Sequence, residues 1–170
     1  MCTQMCAADK PWLVRELLDL PFLPTPQNVI EAAVDLVKLK PFEFFADLGC
    51  GEGNVLIRAA QKSEAFCVGF EIDQRLIPEA KRNIKGEGVS ERIDVVYADL
   101  FTTDLSRFDV IYVYPFPTIA AQLAEKMLRE CKKGARVVVC DYSLPNLTTA
   151  ESADVSGSGV RKHRIYVYRF

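Results

Sequence analysis

Apolar residues fall in short unbroken runs, separated by stretches where they recur every three or four positions. That alternation predicts strand and helix in turn. The runs over residues 42–46, 66–72, 93–97, 110–114 and 135–140 are almost continuously apolar, as in strands covered on both faces of a parallel sheet. Helical spacing fills residues 53–62, 73–85 and 118–131 between them. Upstream, residues 27–38 place Val29, Ile30, Ala33, Val34 and Val37 on one helical face, with Thr25 as N-cap and Pro26 at the first helical position. Residues 11–20 carry Leu13, Leu17 and Leu20 on one face with Leu18 beside it, which predicts a short cap helix. Three prolines restrict residues 21–26 to extended or turn geometry. At the other end, residues 143–159 are rich in Ser, Thr, Asn and Gly and read as a mobile loop or a ragged strand connection. Residues 164–170 alternate like an antiparallel strand. The expectation is an α/β fold with a doubly wound sheet and helices on both faces, one domain over 1–170 in which a 1–20 cap segment precedes a 21–170 core.

Composition narrows the class. A chain of 170 residues with 49% hydrophobic and 26% charged content can bury a sizeable core. A net charge of −2 provides no broad basic field for phosphates, so a nucleic-acid partner is disfavoured. The basic run Arg161-Lys162-His163-Arg164 reads as a solvated hairpin end. No apolar run approaches the ~20 residues of a membrane span, and the start lacks a signal-peptide pattern. The expected setting is cytoplasmic, with no membrane span. Cys2, Cys6, Cys50, Cys67, Cys131 and Cys140 are scattered and accompany a single histidine, so reduced buried thiols are expected and a metal site is not.

The chemistry concentrates at Asp47-Leu48-Gly49-Cys50-Gly51-Glu52-Gly53. A strand that ends in closely spaced glycines and turns straight into a helix lets backbone pass close to a ligand. The dinucleotide pattern is G-x-G-x-x-G, whereas here the third glycine comes one residue early and Asn54 follows. Asp47 and Glu52 would repel a pyrophosphate but suit a ligand bearing an ammonium and a sulfonium. An acid suited to ribose hydroxyls stands at the end of the next strand as Glu71.

This constellation resembles motif I and its ribose-binding partner in the class I S-adenosylmethionine-dependent methyltransferases. The resemblance implies a Rossmann-like, seven-stranded, mostly parallel sheet with an antiparallel C-terminal strand set between strands five and six. It implies S-adenosyl-L-methionine as cofactor, released as S-adenosyl-L-homocysteine, with Asp47, Gly49, Cys50, Gly51, Gly53 and Glu71 around it. Ligands of open α/β sheets bind beyond the carboxyl ends of the strands. Asp99 would there accept from the adenine amino group or else cap a turn, with Leu100 and Phe101 packing one ring face and Ile72 the other. Tyr114-Pro115-Phe116-Pro117 stands where enzymes methylating nucleobase or glutamine amines carry Asn/Asp-Pro-Pro-Tyr/Phe. Tyr in the first place breaks that motif and points instead to a narrow apolar channel.

A closer similarity joins several segments: the proline-rich stretch from Pro21 to Pro26, the loop at 47–53, Val68-Gly69-Phe70-Glu71-Ile72, Lys133-Gly134-Ala135-Arg136-Val137-Val138, and His163-Arg164-Ile165-Tyr166-Val167-Tyr168. Together these resemble the small archaeal broad-specificity protein lysine methyltransferases and the mitochondrial enzymes that methylate a lysine of the ATP synthase c subunit. The two prolines at Pro115 and Pro117 depart from the more aliphatic loop of the archaeal enzymes. The resemblance implies a protein substrate and direct SN2 attack by a lysine amine desolvated by Phe22, Tyr114 and Phe116. Tyr114 and Asp141 would contact that amine, with Asp141 alternatively a loop cap. A small-molecule methyltransferase, or a protein that holds the cofactor without turnover, is the alternative reading. A monomer or weak dimer is expected.

Overall fold

The computed structural model describes residues 24–156 and 162–170. The cap helix expected over 11–20, Phe22, Cys2 and Cys6 lie outside them. The described elements are α1 (Gln27–Val37), β1 (Phe44–Leu48), α2 (Asn54–Lys62), β2 (Phe66–Glu71), α3 (Ile77–Gly86), β3 (Ile93–Tyr97), β4 (Val110–Val113), α4 (Ala120–Glu130), β5 (Arg136–Cys140), β6 (Glu151–Ser156) and β7 (Lys162–Arg169). The strands form one sheet in the order β3-β2-β1-β4-β5-β7-β6. β1 to β5 pair in parallel, and β7 runs antiparallel between β5 and β6, as the class I resemblance implied. Strand order reverses between β1 and β4, so the crossovers leave a crevice at the carboxyl ends of those two strands.

Alternate residues of the strands feed two cores. On one face Phe45, Cys67, Val110, Val138 and Ile165 pack under α1 and α2. On the other, Leu48, Ile111, Val113, Val137 and Tyr168 pack under α4 and Leu105. In α1 the expected Val29, Ile30, Ala33, Val34 and Val37 are the buried set. Arg136, buried at the start of β5, donates to the carbonyls of Val37 and Lys38 at 2.6 and 3.1 Å and pairs with Glu43. It thereby satisfies the C-terminal carbonyls of α1 that no intrahelical partner can reach.

Several boundaries move, each for a local reason. β1 starts at Phe44 rather than residue 42 because Phe42 takes a positive φ of 64°, and it runs on through Asp47 and Leu48, which pair with β2 and β4. The helix expected from residue 73 starts at Ile77. Asp73 instead closes a turn by accepting from the Arg75 amide at 2.9 Å. Thr25 does not cap α1, whose N-cap is Pro26 without a side-chain bond; its hydroxyl lies 3.4 Å from the Tyr112 hydroxyl. Within residues 143–159, expected as a mobile loop or a ragged strand connection, residues 151–156 form β6, an edge strand whose strand partner among the described residues is β7. The basic run is not a solvated end throughout, because His163 is buried.

Candidate functional site

β1 ends in Asp47 and Leu48, and the loop that follows takes φ values of 83° at Gly49, 53° at Gly51 and 81° at Gly53. Side chains strongly disfavour that left-handed geometry. The Gly49 and Cys50 amides donate to the Phe70 carbonyl at 2.8 and 3.1 Å, which binds the loop to the end of β2. Gly69 in β2 is required for the same approach. A Cβ there would stand 2.5 Å from Leu56 Cδ1 and 2.6 Å from Cys50 Sγ. The loop also leans on α3, where Asn83 Nδ2 donates to the Glu52 carbonyl at 3.1 Å.

Glu71 is the strut of this corner. Its Oε2 accepts from the Gly51 amide at 2.7 Å, and its Oε1 accepts from the amides of Ile72 and Asp73, each at 2.8 Å. Three of a carboxylate's roughly four lone-pair positions are thus filled by backbone. Asp47 lies beside it, only 2% exposed. Burial, then the charge of Glu71, push its carboxyl well above the ordinary range. A carboxylate held under such electrostatic demand is relieved by a cation.

The cleft over this corner encloses about 350 Å³. Asp47, Gly49, Cys50 and Glu71 line its floor, and Ile72 and Leu100 line one side. Gly51 and Gly53 are not among the residues that line the cavity. Asp99 is likewise absent from the lining, and its Oδ1 accepts from the Phe101 amide at 2.8 Å. That geometry is the turn cap raised as its alternative role. The loop carrying Leu100 is pinned by a residue that sequence reasoning missed. Lys126, 3% exposed on α4, donates to the carbonyls of Phe101 and Thr103 at 3.2 and 2.5 Å and to Glu130 at 2.6 Å. Its i,i+4 pairing with Glu130 was the available signal.

The far half of the cleft is aromatic, with Tyr112, Tyr114, Pro115, Phe116 and Tyr142. Tyr112 rises from β4 with its hydroxyl 3.3 Å from Cys140 Sγ, and burial pushes its phenol well above the ordinary value. Tyr114 donates its hydroxyl to Asp141 Oδ2. Asp141 takes a left-handed φ of 65° where β5 ends, a conformation Asp adopts more readily than most residues. Burial raises its carboxyl, but hydrogen bonds from Tyr114, the Arg164 amide and His163 outweigh that and hold it below the ordinary range. The two residues expected to meet an acceptor are therefore brought together. The buried thiols fall in line as well: burial pushes Cys67 and Cys140 up to about 12, leaving them unreactive.

A cavity with one buried, charge-frustrated acid, a second acid at the end of the next strand and an apolar slot fits a zwitterionic amino-acid tail joined to a nucleoside. The comparisons agree. The ANTKMT methyltransferase domain profile matches residues 47–151. A protein-lysine N-methyltransferase of Saccharolobus islandicus (strain REY15A) is 31% identical over 150 residues, covering 88% of this chain and 92% of that protein. The human lysine N-methyltransferase of the ATP synthase c subunit is 28% identical over 141 residues, 83% of this chain but 58% of its own length. Among solved structures, an RNA methyltransferase from Salinibacter ruber in complex with S-adenosyl-L-homocysteine superposes with a TM-score of 0.80 at 28% identity, over 86% of this chain and 93% of that one. Among the described residues no helix is long and apolar enough to cross a membrane. The chain belongs to the ANTKMT methyltransferase domain family and is an S-adenosylmethionine-dependent methyltransferase.

Proposed function

We propose that the enzyme methylates lysine side chains of proteins by direct displacement. The observation that carries this reading is the aromatic far wall of the cleft, Tyr112, Tyr114, Phe116 and Tyr142, in a chain 31% identical to a protein-lysine N-methyltransferase. In the proposed complex the Asp47 carboxylate faces the cofactor's ammonium, the loop of Gly49, Cys50, Gly51 and Gly53 gives it backbone room, and Glu71 takes the ribose. Ile72 and Leu100 enclose the adenine, with Asp99 holding the loop beneath. S-adenosyl-L-methionine supplies an activated methyl on a positively charged sulfur.

The protein's own task is to align a neutral amine in a dry site. A free lysine is neutral to about one part in 2,500 at pH 7, a deficit of about 4.6 kcal/mol. Phe116 and Tyr114 remove water from the amine, which favours its neutral form. Transfer forms the N–C bond from the amine lone pair and breaks the S–C bond with its electrons returning to sulfur. The ammonium product then gives its surplus proton to solvent. Phe22, outside the described residues, is the third proposed desolvating residue. Protein is the proposed partner and the cytoplasm the proposed setting, with a monomer or weak dimer as the working form.

The test is transfer of label from methyl-labelled S-adenosylmethionine into a cell extract, split into protein, RNA and dialysable fractions. Label that co-elutes with methyl-lysine after protein hydrolysis is the expected result. Label confined to RNA, where one of the structural relatives acts by its name, or to the dialysable fraction, would overturn the lysine reading.

A further inference from the structure

Three polar side chains meet just past the ends of β4 and β5 and at the start of β7, at the aromatic side of the cleft. Tyr114 lines the cavity and donates its hydroxyl to Asp141 Oδ2. His163 Nδ1 meets the same carboxyl group, 3.0 Å from Oδ2 and 3.2 Å from Oδ1. The strand register makes the alignment firm. The Asp141 amide donates to the Arg164 carbonyl at 2.7 Å, and the Arg164 amide returns a bond to Asp141 Oδ1 at 3.1 Å. His163, next along β7, faces the same way as the buried Ile165 and Val167 and is itself only 4% exposed.

An imidazole at a position that would otherwise take an aliphatic residue costs burial energy unless its polar atoms are satisfied. The proton assignment follows from its partner. An ionised carboxylate only accepts hydrogen bonds, so the proton between the two groups sits on His163 Nδ1. With Asp141 also accepting from Tyr114, the phenol proton is directed away from the cleft, and what Tyr114 offers a cleft ligand is an oxygen lone pair. A neutral amine in a displacement has the matching need. Its own lone pair must face the methyl carbon, and its N–H groups then require acceptors.

We propose that His163 is a positioning residue for the acceptor amine: by holding Asp141 it sets the direction of the Tyr114 hydroxyl, and so presents the Tyr114 oxygen as the acceptor that orients the attacking nitrogen. The inference deepens the amine-methylation reading and rests on it. It assigns His163 no contact with cofactor or substrate.

The test compares His163→Ala and His163→Asn, since Asn keeps an N–H close to the Nδ1 position. In the Ala variant, transfer of labelled methyl into extract protein falls at least tenfold in kcat/KM, while S-adenosyl-L-homocysteine affinity by calorimetry stays within twofold and the melting temperature is kept. The Asn variant recovers to within about threefold of wild type. Wild-type transfer by the Ala variant would overturn the proposal, as would parallel loss of cofactor affinity or fold in both variants, which would make His163 structural only. A second readout is independent of turnover. His163 is the one histidine of the chain, so its ring nitrogens give unambiguous nitrogen-15 signals. Wild type shows a protonated Nδ1, and Asp141→Asn shifts the proton toward Nε2; an unchanged spectrum would refute the link. If wild type labels RNA or dialysable material instead of protein, the lysine reading fails. The same variants scored on that fraction then decide His163 separately.

Discussion

Replacing Glu71 by Gln tests the architecture of the cofactor corner with a change of one atom. The Glu71 carboxylate accepts three backbone hydrogen bonds, from Gly51 at 2.7 Å and from Ile72 and Asp73 at 2.8 Å. A Gln amide can keep at most the two on one oxygen, and its NH₂ then faces the buried Gly51 N–H as donor against donor. An unsatisfied buried donor costs about 1–3 kcal/mol, and the remaining two bonds lose the strength that a charged acceptor conferred. Removing the charge also relieves Asp47, whose carboxyl is raised in part by Glu71, so some of the loss is offset. The net expectation is a destabilisation of about 1–3 kcal/mol. For a chain of this size that is a fall in melting temperature of about 2–12 °C. The variant also removes the charged acceptor proposed for the ribose; a loss of about 1–3 kcal/mol in that contact would lower S-adenosyl-L-homocysteine affinity by about 5- to 150-fold. Urea unfolding with and without S-adenosyl-L-homocysteine, together with calorimetry, reads both quantities. A Gln variant with wild-type midpoint and wild-type affinity would refute the role of Glu71 as strut and ligand.

Other predictions follow from the same corner. Gly69→Ala places a Cβ 2.5 Å from Leu56 Cδ1 and 2.6 Å from Cys50 Sγ; it should cost about 1–3 kcal/mol by overpacking, and an unfolding midpoint equal to wild type would show that the loop yields freely. Asp47 is protonated more readily in the fold than in the unfolded chain. Its contribution therefore favours the fold at low pH and is lost as pH rises from the ordinary carboxylate value to the raised one. A bound cation reverses the shift, so cofactor binding should release a proton and strengthen with rising pH over that window. Calorimetry in buffers of different ionisation enthalpy checks this, and no buffer dependence would count against it. Asp47→Asn should raise the melting temperature of the free protein at neutral pH while weakening cofactor binding by about 1.5–3 kcal/mol, the range for a charged hydrogen bond. Lys126→Met leaves the carbonyls of Phe101 and Thr103 without their donor and should cost about 1–3 kcal/mol. Faster hydrogen exchange over residues 99–105 would report it, and unchanged exchange there would argue that Lys126 is no clamp.

Local chemistry made much of this protein legible from its residues. Unbroken apolar runs mark buried parallel strands, because both faces must avoid water, and β4 and β5, in which every residue is buried, fall within one residue of their runs. The glycines at 49, 51 and 53 announce positive φ, and an acid at the end of the next strand follows from βα geometry, so the cofactor class was readable before any fold. β6 was harder to read because its sequence is polar and none of its residues is buried, and among the described residues its strand partner is β7. The Thr25 cap failed for a different reason. The rule weighs only nearby amides, and the threonine found Tyr112, 87 positions away.

The amino-acid pattern determined the element types, the turn chemistry and the ligand class, since each depends on residues within one or two turns of chain. Only the tertiary structure decided which polar groups meet. Glu71 Oε2 accepts from the Gly51 amide of a loop 20 residues back, and Asp141 joins Tyr114 to His163 across the ends of β4 and β5 and the start of β7. Such pairings are set by strand order and register, which bring together residues that no spacing rule connects. A hydrogen bond in a buried site depends on which atoms the packing leaves within 3 Å, and that is a property of the folded sheet.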